Sequence, residues 1–119
     1  IALSDSSAVY LNNLAYTYSV RGINLKKALE LSSRAVAIEP ENGAYLDTMG
    51  WIEYGLGNYR VALRWLRKAL KTTSDSATTL EHIGDVYIKL GSESKAIKFY
   101  RQALELNPEN EELQLKISR

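Results

Sequence analysis

"YLDTMGWIEYGLGNYRVALRWLRKAL", residues 45–70, carries glycines in unlike settings. Gly57 falls where a turn is expected. Gly50 falls inside an apolar helical stretch, where glycine costs roughly 1 kcal/mol relative to alanine. Sliding the sequence by 34 residues lays this stretch on "TLEHIGDVYIKLGSESKAIKFYRQAL", residues 79–104. Leu46 then meets Leu80, Gly50 meets Gly84, Gly57 meets Gly91, Ala62 meets Ala96 and Ala69 meets Ala103. Carried backwards, the shift puts Ala28 and Ala35 on Ala62 and Ala69, and Pro40 on Ser74 and then Pro108. The earlier stretch "LNNLAYTYSVRG", residues 11–22, fits one residue out of step, so an extra residue is expected between Gly22 and Leu25. A turn absorbs an insertion cheaply, whereas inside a helix it would rotate the buried face by about 100°.

Each period reads as two helices joined by a turn. Leu80, Ile83, Gly84, Tyr87 and Leu90 recur at three- and four-residue spacing, as do Ala96, Phe99, Ala103 and Leu106. Helices are predicted near 7–21, 25–38, 43–55, 59–72, 77–90 and 93–106, with a seventh from about 110. Asn42, Ser76 and Asn110 suit N-caps of first helices, and Asn24, Asn58 and Ser92 those of second helices. Gly22, Gly57 and Gly91 suit left-handed C-caps, and Pro40 and Pro108 close second helices.

In the third period Leu80, Gly84, Tyr87, Gly91, Ala96, Tyr100, Ala103 and Pro108 form a set that resembles the tetratricopeptide repeat family. The resemblance covers about residues 8–110. Departures are Glu53 in place of an aromatic, Ser74 in place of proline, and the turn insertion. It implies an all-α, right-handed α-solenoid of three helix-turn-helix repeats, about 8–42, 43–76 and 77–110, with a C-terminal capping helix at about 110–119. Residues 1–119 would form a single domain, and the start at Ile1 leads us to expect a segment of a longer protein. "NNLAY", "LDTMGW" and "HIGDVY" further resemble modules of bacterial, often envelope-associated, members of the family, so cytoplasm and envelope both stay open. Gly50 then has a structural reading. Ala15, Gly50 and Gly84 share one position, where a missing side chain lets paired helices approach, with Ala28, Ala62 and Ala96 as the facing small surface. Ser118 takes that position in the tail "EELQLKIS", which reads either as a cap or as the start of a further repeat.

Composition narrows the function classes. The 119 residues are 45% hydrophobic and 24% charged, as in ordinary globular domains. Fifteen basic and fourteen acidic residues give a net charge of +1, so no global field calls for nucleic acid or an anionic membrane. Cysteine is absent, which excludes disulfide and thiolate chemistry. His82 is the single histidine, with Asp85 one turn away and no nucleophile converging on it. "GLG" at 55–57 lacks the third glycine and preceding strand of a dinucleotide site. Neither enzymatic activity, a metal nor a cofactor is expected.

The resemblance implies that first helices line a concave groove that binds a peptide or helix of a partner protein. Asn12, Asn13, Tyr16, Asp47, Trp51, Tyr54, Thr78, Glu81, His82 and Asp85 are its candidate residues. Tyr16, Trp51 and Tyr54 are candidate anchors, and Asp47, Glu81 and Asp85 favour an apolar guest carrying Lys or Arg. The plainer alternative has Trp51 packed on a neighbouring repeat and the carboxylates solvated. Some family members grip a C-terminal carboxylate with cations here. Asn12, Tyr16, Thr48, Thr78 and His82 occupy those places, which disfavours that mode.

Two other surfaces compete. Arg60, Arg64, Arg67, Lys68 and Lys71 give one helix five cations and no acid, able to meet acidic protein, lipid headgroups or RNA. A solvated convex face with Trp65 partly packed is the favoured reading there; nucleic acid and direct membrane contact are not expected. Leu3, Leu113, Leu115 and Ile117 could instead support a homo-oligomer through the end repeats.

Overall fold

The computed structural model describes residues 2–72 and 76–118, with side chains from residue 7 onward. They form α1 (Ala2–Arg21), α2 (Leu25–Ile38), α3 (Gly43–Gly55), α4 (Tyr59–Thr72), α5 (Ala77–Lys89), α6 (Glu93–Leu106) and α7 (Glu111–Ser118). The bounds match the periodic reading within a residue or so except at α1, which starts about five residues earlier than expected. The stretch "ALSDSS" before Ala8 contains neither glycine nor proline to stop it. Ser74 and the side chain of Leu3 lie outside the described residues.

All three first-to-second turns share one backbone motif. Gly22, Gly57 and Gly91 have φ of 67°, 85° and 82°. Their N–H groups donate to Ser19, Tyr54 and Ile88, while the next residues, Ile23, Asn58 and Ser92, donate to Tyr18, Glu53 and Tyr87. This pairing satisfies carbonyls that a helix end leaves free. The second helices then start with Ala28, Ala62 and Ala96 donating to Asn24, Asn58 and Ser92. In repeats two and three those residues directly follow the glycine; in the first, Ile23 intervenes. Asn24 absorbs the extra residue at φ 49°, a left-handed conformation that asparagine tolerates.

Capping follows the expectation for first helices only. Asn42, Ser76 and Asn110 accept from the N–H groups of Tyr45, Thr79 and Leu113 at 3.2, 3.2 and 3.0 Å. Asn24 and Ser92 make no side-chain cap bond, because neither has the extended backbone of the caps that do. Asn58 instead turns its amide to the Glu53 carboxylate, 2.9 Å away. That bond explains how Glu53, 9% exposed, replaces an aromatic: its charge is buried with a donor.

Each helix packs on the next, and α1 and α5 also touch α3. Among the described residues α2, α4 and α6 show no comparable approach to one another, so first helices form the inner wall of a curved stack measuring 45 × 25 × 22 Å. Gly50 and Gly84 set the close approach within repeats. A Cβ on Gly50 would lie 2.7 Å from Leu66 Cγ and 3.1 Å from the Ala62 carbonyl; one on Gly84 would lie 2.6 Å from Tyr100 Cδ1 and against Cε1 of the same ring. The glycine gaps are thus filled by Leu66 and Tyr100, one turn beyond the alanines predicted to face them. Ala28, Ala62 and Ala96 are themselves fully buried.

The tail docks as one more first helix. Leu113 is fully buried and Ile117 packs on the core around Tyr87 and Tyr100, which leaves Leu115 as the exposed member of the three tail residues considered for self-assembly.

Candidate partner-binding groove

The inner wall holds two clefts joined by a chain of side chains. The first, 490 Å³, is lined by Asn12, Asn13 and Tyr16 of α1, Ala44, Asp47 and Thr48 of α3, and Thr78 of α5, with Gly43, Ser76 and Thr79. The second, 290 Å³, lies between Tyr54, Asp85, Ile88, Glu93, Ile97, Tyr100 and Lys116. Asp47 at the first cleft accepts from His82 Nδ1, 3.1 Å from both carboxylate oxygens. The His82 ring stacks on Trp51 at 3.9 Å, and Trp51 on Tyr54 at 4.5 Å, which brings the series to the second cleft.

Trp51 is half-buried and stacked against both a ring of its own repeat and one of the next. The plainer reading holds for its packing, and its value as a free anchor is reduced. The carboxylates are not simply solvated. Asp47 is 8% exposed and paired with His82; Glu81 and Asp85 share Lys116 at 2.7 and 3.0 Å. Tyr100 donates to Asp85 at 2.6 Å.

These contacts shape the protonation of the second cleft. Burial alone would lower the Lys116 pKa, but hydrogen bonds to Glu81 and Asp85 outweigh it and hold the ammonium above its ordinary value. Burial, then the hydrogen bond to Asp85, raises Tyr100 far above a free phenol, and burial followed by the Asp85 charge raises Tyr54.

Lys116 was missed by sequence reasoning, although the period contained the signal: 34 residues before it stands His82, and before that Thr48. Asp47 and Glu81 are likewise one period apart. The pairs His82 with Asp47 and Lys116 with Glu81 are one contact made twice, at successive repeat interfaces. All five cations named on α4 are exposed; Arg67 donates to the Tyr87 hydroxyl and Lys68 lies 5.9 Å over Trp65. No group of three or more His, Cys, Asp or Glu among the described residues could hold a metal ion, and no helix there is long and apolar enough to cross a membrane.

Sequence profiles of the tetratricopeptide repeat match residues 43–74 and 77–110. The chain belongs to the tetratricopeptide repeat family. A TPR repeat-containing protein of Pseudomonas aeruginosa is 38% identical over 85 residues, which cover 71% of this chain and 14% of that protein. The chain thus spans a small part of its curated relative. Among solved structures, the first TPR of Spaghetti (RPAP3) bound to the HSP90 peptide SRMEEVD superposes with a TM-score of 0.87 at 19% identity, covering 96% of this chain and 90% of that one. The Yersinia enterocolitica type III secretion translocator chaperone SycD gives 0.83 at 16% identity, covering 95% and 87%. With seven helices and no strand among the described residues, these neighbours make the tetratricopeptide repeat chain an all-α repeat solenoid.

Proposed function

We propose that this domain is a non-enzymatic scaffold that captures an extended segment of another protein in its concave groove. The family generally supplies scaffolds of this kind, and the structurally similar RPAP3 domain carries a bound peptide. One observation carries the reading. Asn12 Oδ1, on a residue lining the larger cleft, is buried with no hydrogen-bond partner. An orphaned acceptor costs about 1–3 kcal/mol, and a rotation of the Asn12 amide towards the cleft would let the oxygen accept from the backbone N–H of an extended guest and remove that cost.

The surroundings fit such a guest. Exposed Asn13 and Thr78 offer further polar groups, and Tyr16, 49% exposed, offers an aromatic face with a polar tip. Among the described residues no lysine or arginine lines this cleft, so a guest's terminal carboxylate finds no cation of theirs there. Asp47, the one charged residue among the described residues that line it, is engaged by His82. The guest is therefore read here through its backbone and by neutral polar contacts. Lys116 already occupies the acidic pair Glu81 and Asp85, so a guest's Lys or Arg must share those carboxylates with it.

Tyr16→Ala and Asn12→Ala test this better than Trp51→Ala, because Trp51 also holds two repeats together. Affinity capture from the source cell with wild-type and variant baits should lose the partner in Tyr16→Ala while helicity is unchanged. Equal capture by both variants removes the groove as the site.

A further inference from the structure

The curvature that closes the inner wall spreads the second helices apart. Between α4 and α6 it leaves a 350 Å³ cleft lined by Arg67, Leu70 and Lys71 of α4, Ile83 of α5 and Phe99 of α6. It shares no lining residue with either groove cleft. Its wall is apolar: Ile83 is fully buried, and Phe99 stacks on Tyr87 at 5.6 Å. Two cations converge on the same tyrosine. Arg67 donates to the Tyr87 hydroxyl from α4, and Lys95 Nζ lies 5.6 Å over the Tyr87 ring from α6. Arg67 is thus held in place by the fold, so less of its side-chain freedom is lost when a ligand is gripped.

The charged residues of α4 beside the cleft have one sign. Arg60, Arg64, Arg67 and Lys71, spaced four, three and four residues apart, share one face of a helix that contains no acid. On the other side α6 carries exposed Lys95, Lys98 and Arg101, of which Lys95 stands one turn before Phe99, with its acids Glu93 and Glu105 towards the two ends of the helix. A chain of net charge +1 has therefore concentrated cations on its second helices.

We propose that this cleft is a second docking site, for an acidic segment of a partner protein in which carboxylates flank one large apolar side chain. The apolar wall takes the side chain and the basic rims take the carboxylates, with Arg67 and Lys71 nearest. A lipid surface fits less well, because none of the exposed large hydrophobic residues lies on α4. Single-stranded RNA fits less well too: Trp65 and Phe99 are half-buried, whereas base stacking needs exposed rings.

The test titrates the whole chain with a fluorescein-labelled synthetic peptide of Asp and Glu around one central leucine, and maps contacts by amide chemical shifts. Parallel arms use the same peptide with glycine for leucine, phosphatidylserine vesicles, and oligouridine RNA. Arg64 and Lys71 are exposed, so Arg64→Glu with Lys71→Glu should keep the helical circular dichroism. The expected result is shifts at Arg67, Leu70, Lys71 and Phe99, and affinity reduced about tenfold or more in the double variant, as like charges now face each other. Unchanged affinity in that variant, or shifts confined to other residues, would overturn the proposal. So would equal binding of the glycine peptide, the vesicles or the RNA, which would reduce the site to general attraction for anions.

Discussion

Lys116 Nζ lies 2.7 Å from the Glu81 carboxylate, closing the last repeat interface at the position where His82 closes the one before it on Asp47. A solenoid's stability is a sum of repeat and interface contributions. These cross-repeat contacts therefore act on stacking more than on the helices themselves.

Alkaline titration should expose the Lys116 contact. Its pKa is raised in the folded chain, so its stabilising contribution is complete below the unfolded lysine value of about 10.4 and is lost as pH rises through the folded value. Tyr100, also raised, acts in the same direction above about pH 10. Urea midpoints should fall above that pH in wild type, and less steeply in Lys116→Met. At neutral pH Lys116→Met should cost between the ~1 kcal/mol of an exposed pair and the ~3 kcal/mol of a buried one. Parallel alkaline curves for the two proteins would contradict this account.

Gly84→Ala separates architecture from helix propensity. Alanine gains roughly 1 kcal/mol in a helix, but its methyl would overlap the Tyr100 ring, and overpacking costs about 1–3 kcal/mol. A net loss of stability is expected in thermal melts. Pairing Gly84→Ala with Tyr100→Leu should recover part of it, since the ring is what the methyl meets. A stabilised single variant would show that the glycine does not set the helix approach.

Trp51 and His82 should be coupled. Stacked rings contribute about 0.5–1.5 kcal/mol beyond their buried area. A double-mutant cycle of Trp51→Ala and His82→Ala, read by urea denaturation, should return an interaction of that size. Strict additivity would mean that the stack carries no energy.

The period of 34 made the fold legible, because a repeated pattern reports which face of each helix is buried and where each turn falls. It located Gly22, Gly57 and Gly91 as left-handed turns and predicted the extra residue that proves to be accommodated by Ile23 and Asn24. Which side chain fills a gap was less legible. Leu66 and Tyr100 lie a turn beyond the predicted alanines, because the long side chain, not the small one, reaches across to a glycine. The candidate groove residues do lie on first helices, but their partners were not foreseen. Lys116 reaches residues 31 and 35 positions away, and only its place one period after His82, not any local pattern, marks its destination.

The most direct test places a benzophenone probe at a single introduced cysteine, in a chain that has no cysteine of its own. Asn13 puts the probe in the larger cleft of the inner wall, and exposed Arg34 puts it on second helix α2. On illumination with lysate from the source cell, Asn13→Cys should join covalently to a partner protein that Arg34→Cys does not capture. A partner joined equally at both sites, or at Arg34→Cys alone, would contradict a concave groove as the receiving surface.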